Sequence, residues 1–291
     1  MNRCYLLFAF LSCVLGESIG KDLNPFISKK DLGNVCQDMW NSAGNNLKIG
    51  KEIIINSGTR SKPLITLTQQ GKAKVRRDVF VKFKALLDNY EADENKPEKS
   101  SAKEQLEEDV FVNAIAVNGG PIHIAFKYLQ NKGKVSSGRL DQFKPVLKKL
   151  WFEKYAKRGR YPTSSGFEHT FVGELGYSRY SKSKVTKGLH NWLQFLSERT
   201  AGRLTYLPPP VVKDVFREPA LIRAKFQWQR TNKGQGSSFF VGTSPDFEMA
   251  LYTVCFFEAS YCTCNINGKR LSITTINFNN KGNVLTAYPR V

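Results

Sequence analysis

The chain has 291 residues, of which 41% are hydrophobic, and its formal net charge is +19. This length and apolar content suit a globular protein with one large core or two modest ones, and they exclude fibrous and disordered classes. The positive charge favours polyanionic partners. A general affinity for acidic membrane surfaces or glycans is the alternative reading of the charge.

The first twenty residues have the pattern of a secretory leader. Arg3 precedes an apolar stretch from Tyr5 to Leu15, and small residues follow it. We therefore predict a signal peptide over residues 1–20, with cleavage after Gly16 or Gly20, and a secreted product. A membrane anchor would need about 20 apolar residues, and this stretch is too short. No other segment is apolar enough to span a membrane.

Removal of the leader leaves an even number of cysteines: Cys36, Cys255, Cys262 and Cys264. In an oxidising compartment this predicts disulfides, and three pairings are open. Cys262 and Cys264 would share one face of a strand, so both could lie near Cys255. A zinc site is the competing reading, but the chain lacks a second Cys-x-Cys or a His-rich stretch.

The first half of the mature chain has helical patterning. Apolar residues recur at helical spacing over 78–90, which predicts a first helix. Ser101 and Glu104 form a capping-box pattern that predicts the start of a second. Pro121 opens a third helix through Leu129, and a fourth is expected over 140–155. The polar stretch between the first two, residues 91–101, is predicted to be an exposed loop.

After Gly159 the pattern becomes strand-like. Segments 166–175, 221–228 and 238–241 are predicted strands, and Asn267-Gly268 predicts a hairpin between 262–266 and 269–278. Ser244-Pro245 predicts the start of one further helix. The fold class is therefore α+β, with a helix-rich N-terminal part (21–157) followed by an antiparallel-sheet-rich, catalytic C-terminal part (158–291).

Histidine is scarce, with only His123, His169 and His190 in the chain. His123 lies among apolar residues of a predicted helix, which favours a structural role. His169 alternates with Phe167 and Phe171, so it is either a buried structural residue or part of a cleft wall. His190 follows a basic, Ser-rich loop and by itself is only suggestive.

Basic residues are clustered along the chain, and two of the clusters flank these histidines. The three clusters are Lys72, Lys74, Arg76 and Arg77; Lys154, Lys157, Arg158 and Arg160; and Arg179, Lys182, Lys184 and Lys187. RNA cleavage by its own 2′-hydroxyl needs a base, an acid and a cation, which two histidines and a lysine supply. A serine hydrolase is disfavoured because no Gly-x-Ser-x-Gly occurs after the predicted leader, and no cysteine-protease signature is present.

Three segments carry a family resemblance: SGFEHTFVGE around His169, GLHNW around His190, and GTSPDFEMALYT from Gly242. They resemble the EndoU (XendoU-like) family of poly(U)-specific endoribonucleases. Further matches upstream, and at TAYP near the C-terminus, extend the resemblance over nearly the whole mature chain. It implies cleavage of single-stranded, U-rich RNA to 2′,3′-cyclic phosphate and 5′-hydroxyl ends, by a monomer, often with Mn²⁺ dependence.

The resemblance also implies roles for individual residues. His190 would be the general base, His169 the general acid, and Lys233 the cation, with Arg230 as the alternative cation. The Tyr288 ring would stack on the base beside Thr286, and Ser237 would hydrogen-bond uracil. For Tyr288 the alternative is an ordinary strand aromatic.

Glu168 and Glu174 match acids that support the first histidine or help to hold a divalent cation, although no metal-ligand spacing identifies ligands. Strand alternation would place both acids on the face opposite His169, unless the strand bulges. Leu189 stands where the family pattern has an aromatic residue, and the loop between the histidines is longer than usual. The main alternative function is a secreted RNA- or polyanion-binding protein without turnover, and a protease is a weaker one.

Overall fold

The structure is a computed structural model that describes residues 29–56, 63–157, 159–178, 181–213 and 218–291. The predicted leader lies outside the described residues. The N-terminal part contains six helices and one short antiparallel strand pair among the residues described: α1 (Lys29–Ser42), β1 (Ile53–Ile55), β2 (Ile65–Leu67), α2 (Gln69–Lys74), α3 (Asp78–Ala85), α4 (Ala102–Ile115), α5 (Pro121–Asn131) and α6 (Leu140–Phe152).

Four predicted helices are confirmed, with shorter ends in two cases. The helix predicted over 78–90 ends at Ala85, and the one predicted over 140–155 ends at Phe152. The capping box is present, because Ser101 Oγ accepts from the Glu104 amide and the Glu104 carboxylate accepts from the Ser101 amide. Pro121 occupies the first turn of α5.

The loop between α3 and α4 is not wholly exposed, which corrects the expectation for residues 91–101. Glu94 and Glu98 are both buried, at 4% and 8% exposure. Glu94 is held because its amide donates to the Leu175 carbonyl, while the Leu175 amide donates to the Ala92 carbonyl. The segment therefore docks against the C-terminal part and brings a carboxylate with it.

The C-terminal part is built from antiparallel sheets: β3 (Glu174–Tyr177) with β4 (Lys184–Lys187); β5 (Leu204–Lys213), β6 (Ala220–Trp228) and β7 (Thr231–Val241); and β8 (Tyr261–Ile266), β9 (Lys269–Asn277) and β10 (Val284–Pro289). Helices α7 (Trp192–Thr200) and α8 (Pro245–Glu258) lie between them in sequence. The α+β class is confirmed, as are the strand over 221–228 and the hairpin at Asn267-Gly268. The strand predicted over 238–241 is part of a longer one, β7.

Helix α8 lies at the centre of the molecule and joins its two parts. Its residues from Pro245 to Cys255 are all buried, and it packs against α1, α5 and β9. Ser244 occupies its N-cap position, although its side chain makes no capping bond. The buried apolar residues of both parts form one core cluster.

Two disulfides answer the open question of pairing. Cys255 bonds to Cys262, as their predicted proximity allowed, and Cys36 bonds to Cys264. The second bond ties α1 to β8, across 228 residues of sequence. In the described parts of the chain, no helix has the length and apolarity needed to cross a bilayer.

Candidate active site

His169 lies on a single turn of π-helix, Glu168–Val172, between α6 and β3. This corrects the strand predicted over 166–175, of which only the end, from Glu174, is extended. Phe167 and Phe171 are four residues apart, so a helical turn can bury both rings in the core as well as a strand can. Isolated π-turns are found preferentially at functional sites.

Two charged side chains meet the δ-nitrogen of His169. The Glu174 Oε2 atom lies 2.7 Å from Nδ1, and Lys157 Nζ lies 3.1 Å from it. Lys157 and Ser164 both donate to the Glu174 carboxylate. Because the ionised carboxylate of Glu174 only accepts, Nδ1–H donates to it, and Nε2 is left free to face a substrate.

The contact between Glu174 and His169 corrects the expectation that both acids would point away from the histidine. That expectation assumed strand alternation, which the π-turn replaces. Burial raises the pKa of Glu174, but the adjacent His169 and Lys157 outweigh burial and hold the pKa well below its usual range. Glu174 is therefore the anionic support of His169.

Glu168 has a different environment, although it adjoins the histidine in sequence. Its side chain is fully buried, and neither carboxylate oxygen has a hydrogen-bond partner among the described residues. Burial, reinforced by the negative charge of Glu174, raises its pKa well above the usual value. Burial thus favours the protonated, neutral form of Glu168, and its carboxyl group makes no hydrogen bond among the described residues that would orient His169.

His190 lies on a turn that follows β4 and is joined by backbone hydrogen bonds to the π-turn. The Leu189 amide donates to the His169 carbonyl (3.1 Å), and the His190 amide donates to the Thr170 carbonyl (2.7 Å). Gly188 permits this approach, because a Cβ there would lie 1.7 Å from the His169 carbonyl oxygen. Leu189, the unusual residue of the motif, is fully buried.

The side chain of His190 is supported by uncharged groups. Its Nδ1 lies 3.0 Å from the Ser238 carbonyl oxygen and 2.9 Å from Ser237 Oγ. Since a carbonyl only accepts, Nδ1 carries the proton and Nε2 is the unprotonated nitrogen. The ring stacks on Tyr288, with centroids 4.5 Å apart and planes inclined by 15°.

The two histidines differ in basicity. Burial, together with the positive charge of Lys233, lowers the pKa of His190 well below its usual value. The pKa of His169 is also lowered, by burial first and Lys157 second, but the carboxylate of Glu174 opposes the shift. His169 therefore holds a second proton more readily than His190, which suits it to the role of general acid, and His190 is neutral near pH 7.

Lys233 lies on β7, opposite the buried Phe226 of β6, which places its side chain on the inner face of the sheet. Burial lowers its pKa to about 8. Its charge acts on both histidines, so the three predicted groups share one electrostatic site. Arg230, the alternative cation, is exposed in the turn between β6 and β7.

The predicted base-binding residues lie next to this site. Thr286 and Tyr288 are on β10, which is joined to the π-turn where the Ala287 amide donates to Thr170 Oγ1 (3.1 Å). The Thr286 hydroxyl is buried without a hydrogen-bond partner among the described residues. The Ser237 hydroxyl already donates a hydrogen bond to the Leu189 carbonyl oxygen, at 2.8 Å. Its contact with uracil stays a prediction.

One predicted residue lies outside the site, and three residues at the site were not identified from the sequence. His123 accepts a hydrogen bond from the Gly119 amide at 3.0 Å, at the start of α5, in keeping with the predicted structural role. In the sequence, Lys157 belongs to a basic cluster and is assigned to no site, because its position in the segment after α6 does not indicate a contact with His169. Glu94 and Lys187 join the same network through an ion pair of 2.5 Å.

One group of three closely spaced metal-ligating side chains occurs in the described part of the chain: Cys255, Cys262 and Cys264. All three sulfurs are in disulfides, and manganese prefers oxygen ligands. The described residues around His169 form no comparable group of carboxylates and histidines. The residues present therefore do not fit a preformed manganese site, and Mn²⁺ dependence stays a prediction.

Comparison with known proteins places the chain among relatives. Residues 31–289 match the family described as Endoribonuclease XendoU. The chain is 32% identical over 245 residues to Uridylate-specific endoribonuclease B of Danio rerio, covering 78% of this chain and 83% of that protein. It is 32% identical over 248 residues to Poly(U)-specific endoribonuclease of Xenopus tropicalis, covering 79% and 82%.

A solved structure gives the same relationship. The structure of XendoU, described as a splicing independent snoRNA processing endoribonuclease, matches with a TM-score of 0.72 and 28% identity. The match covers 89% of this chain and 96% of that one. The resemblance predicted from the three motifs is confirmed.

Proposed function

The chain belongs to the XendoU endoribonuclease family, and we propose that it cleaves single-stranded RNA, preferentially at uridines. The names of its relatives support the uridine preference. The net charge of +19 supports a polyanionic substrate. The single observation that carries the proposal is the pairing of His169 and His190. Their backbones are joined by hydrogen bonds, but charged side chains support His169 and uncharged groups support His190.

The proposed mechanism uses one histidine to remove a proton and the other to supply one. His190 Nε2 takes the proton of the 2′-hydroxyl, and the resulting oxygen forms a bond to phosphorus. The bond from phosphorus to the 5′-oxygen breaks, and His169 Nε2 donates its proton to the departing oxygen. Lys233, while protonated, offsets the negative charge on the phosphorane. The products are a 2′,3′-cyclic phosphate and a 5′-hydroxyl.

Base recognition is assigned to the C-terminal strand. One face of the Tyr288 ring is covered by His190, which leaves the opposite face for a base. The Thr286 hydroxyl is buried without a partner among the described residues, so a hydrogen bond from it to the uracil edge requires the strand to move when the base binds.

Secretion is part of the proposal. The leader pattern at residues 1–20 and the two disulfides support an oxidising, extracellular destination. Expression of the full chain in cultured animal cells, followed by mass spectrometry of the medium, tests it. A mature N-terminus at Glu17 or Lys21 is expected, whereas retention of the intact leader in the cell fraction would contradict secretion.

The test of function uses a fluorophore-quencher oligonucleotide with one uridine, with and without Mn²⁺. Cleavage at the uridine that yields a cyclic phosphate by mass spectrometry, and that is lost in both His169→Ala and His190→Ala, is the expected result. A matched oligonucleotide with cytidine in place of uridine measures the base preference. Tight binding without cleavage in every condition would overturn the proposal and leave RNA capture as the function.

A further inference from the structure

Glu94 belongs to a segment that the proposed mechanism does not use, yet it reaches the site from outside. Its side chain is 3% exposed and faces two lysines. Oε1 pairs with Lys187 Nζ at 2.5 Å, and Oε2 lies 3.7 Å from Lys157 Nζ. A carboxylate buried to this degree is costly unless cations compensate it.

Each of the two lysines lies beside one of the two histidine segments. Lys157 contacts both Nδ1 of His169 and the carboxylate of Glu174. Lys187 is the last residue of β4, immediately before the Gly188 turn that carries His190, and its charge acts on Lys233. One carboxylate therefore connects the supports of both histidine segments.

The backbone around Glu94 holds it in this position. The Ala92 carbonyl and the Glu94 amide both hydrogen-bond to Leu175, one residue after Glu174. Gly176 leaves the space that the carboxylate occupies, because a Cβ at this position would lie 2.0 Å from Glu94 Oε1. The fit between Gly176 and Glu94 indicates a built contact between the segment and β3.

We propose that Glu94 is a positioning residue, which holds Lys157 against the His169–Glu174 pair and Lys187 beside the turn that carries His190. This inference deepens the proposed function and depends on it only for its effect on RNA cleavage. The charged groups around His169 are Glu174, Lys157 and Lys233. Loss of the Glu94 charge would remove the ion pair of Lys187, leave Glu174 as the carboxylate paired with Lys157, and make the field at His169 more positive.

The chain offers a closely matched control in Glu98. This acid comes from the same segment, has a side chain that is 2% exposed, and pairs with Lys154 at 3.2 Å. Lys154 lies over the Tyr90 ring and not against a histidine. A merely structural role for Glu94 would give Glu94→Gln and Glu98→Gln the same phenotype.

The experiment is a pH titration of the histidine side chains by NMR, which is practical because the chain has three histidines. Glu94→Gln should lower the midpoint of His169 by about half a pH unit or more, whereas Glu98→Gln and the His123 signal should stay at the wild-type values. In parallel, Glu94→Gln should reduce kcat about tenfold with little change in KM. Equal His169 midpoints in all three proteins would overturn the inference.

The two proposals can fail separately. A wild-type protein that does not cut RNA sinks the proposed function, yet the NMR titration still decides the role of Glu94. If Glu94→Gln does not fold, Lys157→Met is compared with Lys157→Met/Glu94→Gln, in which one charge of each sign is removed. In the Lys157→Met background, Glu94→Gln should shift the titration midpoint of His169 by less than half of the shift of about half a pH unit expected for Glu94→Gln alone. The reason is that Lys157, through which Glu94 acts on His169, is no longer charged. A full shift in that background would contradict positioning through Lys157.

Discussion

The two histidine segments of this chain are joined by backbone hydrogen bonds but have opposite surroundings. Around His169 the supports are ionic: Glu174 accepts from Nδ1, and Lys157 binds Glu174. Around His190 they are neutral: a backbone carbonyl, a serine hydroxyl and a tyrosine ring. Identical side chains can therefore take opposite roles in proton transfer, because the surroundings and not the residue type set which one holds a proton.

Substitution of either histidine should have the largest effect on activity. His169→Ala and His190→Ala should each reduce kcat by about 10³- to 10⁴-fold, and the double variant should lose little more, because the two act in one step. Steady-state cleavage of the uridine oligonucleotide measures this effect. His123→Ala, outside the site, is the control; a comparable loss in that variant would point to a folding defect.

Removing the cation that both segments share should have the next largest effect. Lys233→Met should lower kcat by about 10²- to 10³-fold, because the phosphorane then lacks its compensating charge. Arg230→Met, in the exposed turn that precedes β7, should keep nearly full activity under the same assay. If Arg230→Met proves the more damaging, the cation has been assigned to the wrong residue.

The ionic side alone is tested by Glu174→Gln. Without the carboxylate, His169 loses the interaction that opposes the lowering of its pKa, so less of it is protonated at pH 7. We expect kcat to fall by about 10- to 100-fold and the pH optimum to move to lower pH. A pH-rate profile displaced towards higher pH would contradict the arrangement.

The pH dependence of the wild-type enzyme should reflect Lys233. Its pKa of about 8 means that the protonated form is lost as the pH rises through that value. Deprotonation of the general acid His169 already lowers the rate as the pH rises through its lowered pKa, and loss of the Lys233 charge should steepen this fall by about a further tenfold per pH unit above pH 8. Lys233→Arg retains its charge at these pH values, so its profile should lack this steepening even if its maximum is lower. A steepening that is unchanged in Lys233→Arg would assign it to another group.

The smallest effect is expected on the neutral side. Ser237→Ala removes the hydroxyl that bonds to the Leu189 carbonyl and His190, a loss of about 1 kcal/mol or about fivefold in kcat. Ser238→Ala is a suitable control, because Ser238 contacts His190 through its backbone carbonyl. A loss above a hundredfold in Ser237→Ala would instead favour the direct uracil contact that the family resemblance predicted.

The sequence predicted the local features of this molecule well, and the long-range ones poorly. The capping box at Ser101, the hairpin at Asn267-Gly268 and the two histidine motifs are signals within a few residues, and the structure contains them. The π-turn was misread as a strand because Phe167 and Phe171 are buried in either conformation. Short apolar runs do not distinguish the two.

The contacts that separate the two histidines could not be read from spacing. Lys157 meets His169 from a segment twelve residues away, and Glu94 reaches Lys187 across 93 residues. The second contact exists because the segment after α3 docks on β3, which depends on packing and not on a local pattern. A charged stretch with proline reads as a solvated loop until its partner is known.

The assignment of base and acid is tested most directly by a uridine oligonucleotide whose leaving 5′-oxygen is replaced by sulfur. A thiolate departs without protonation, so the general acid becomes dispensable while the general base does not. His169→Ala should then cleave this substrate within about tenfold of the wild-type rate, whereas His190→Ala should remain about 10³-fold slower. Rescue of His190→Ala in place of His169→Ala, or of neither variant, would contradict the division of roles between the ionic and the neutral histidine.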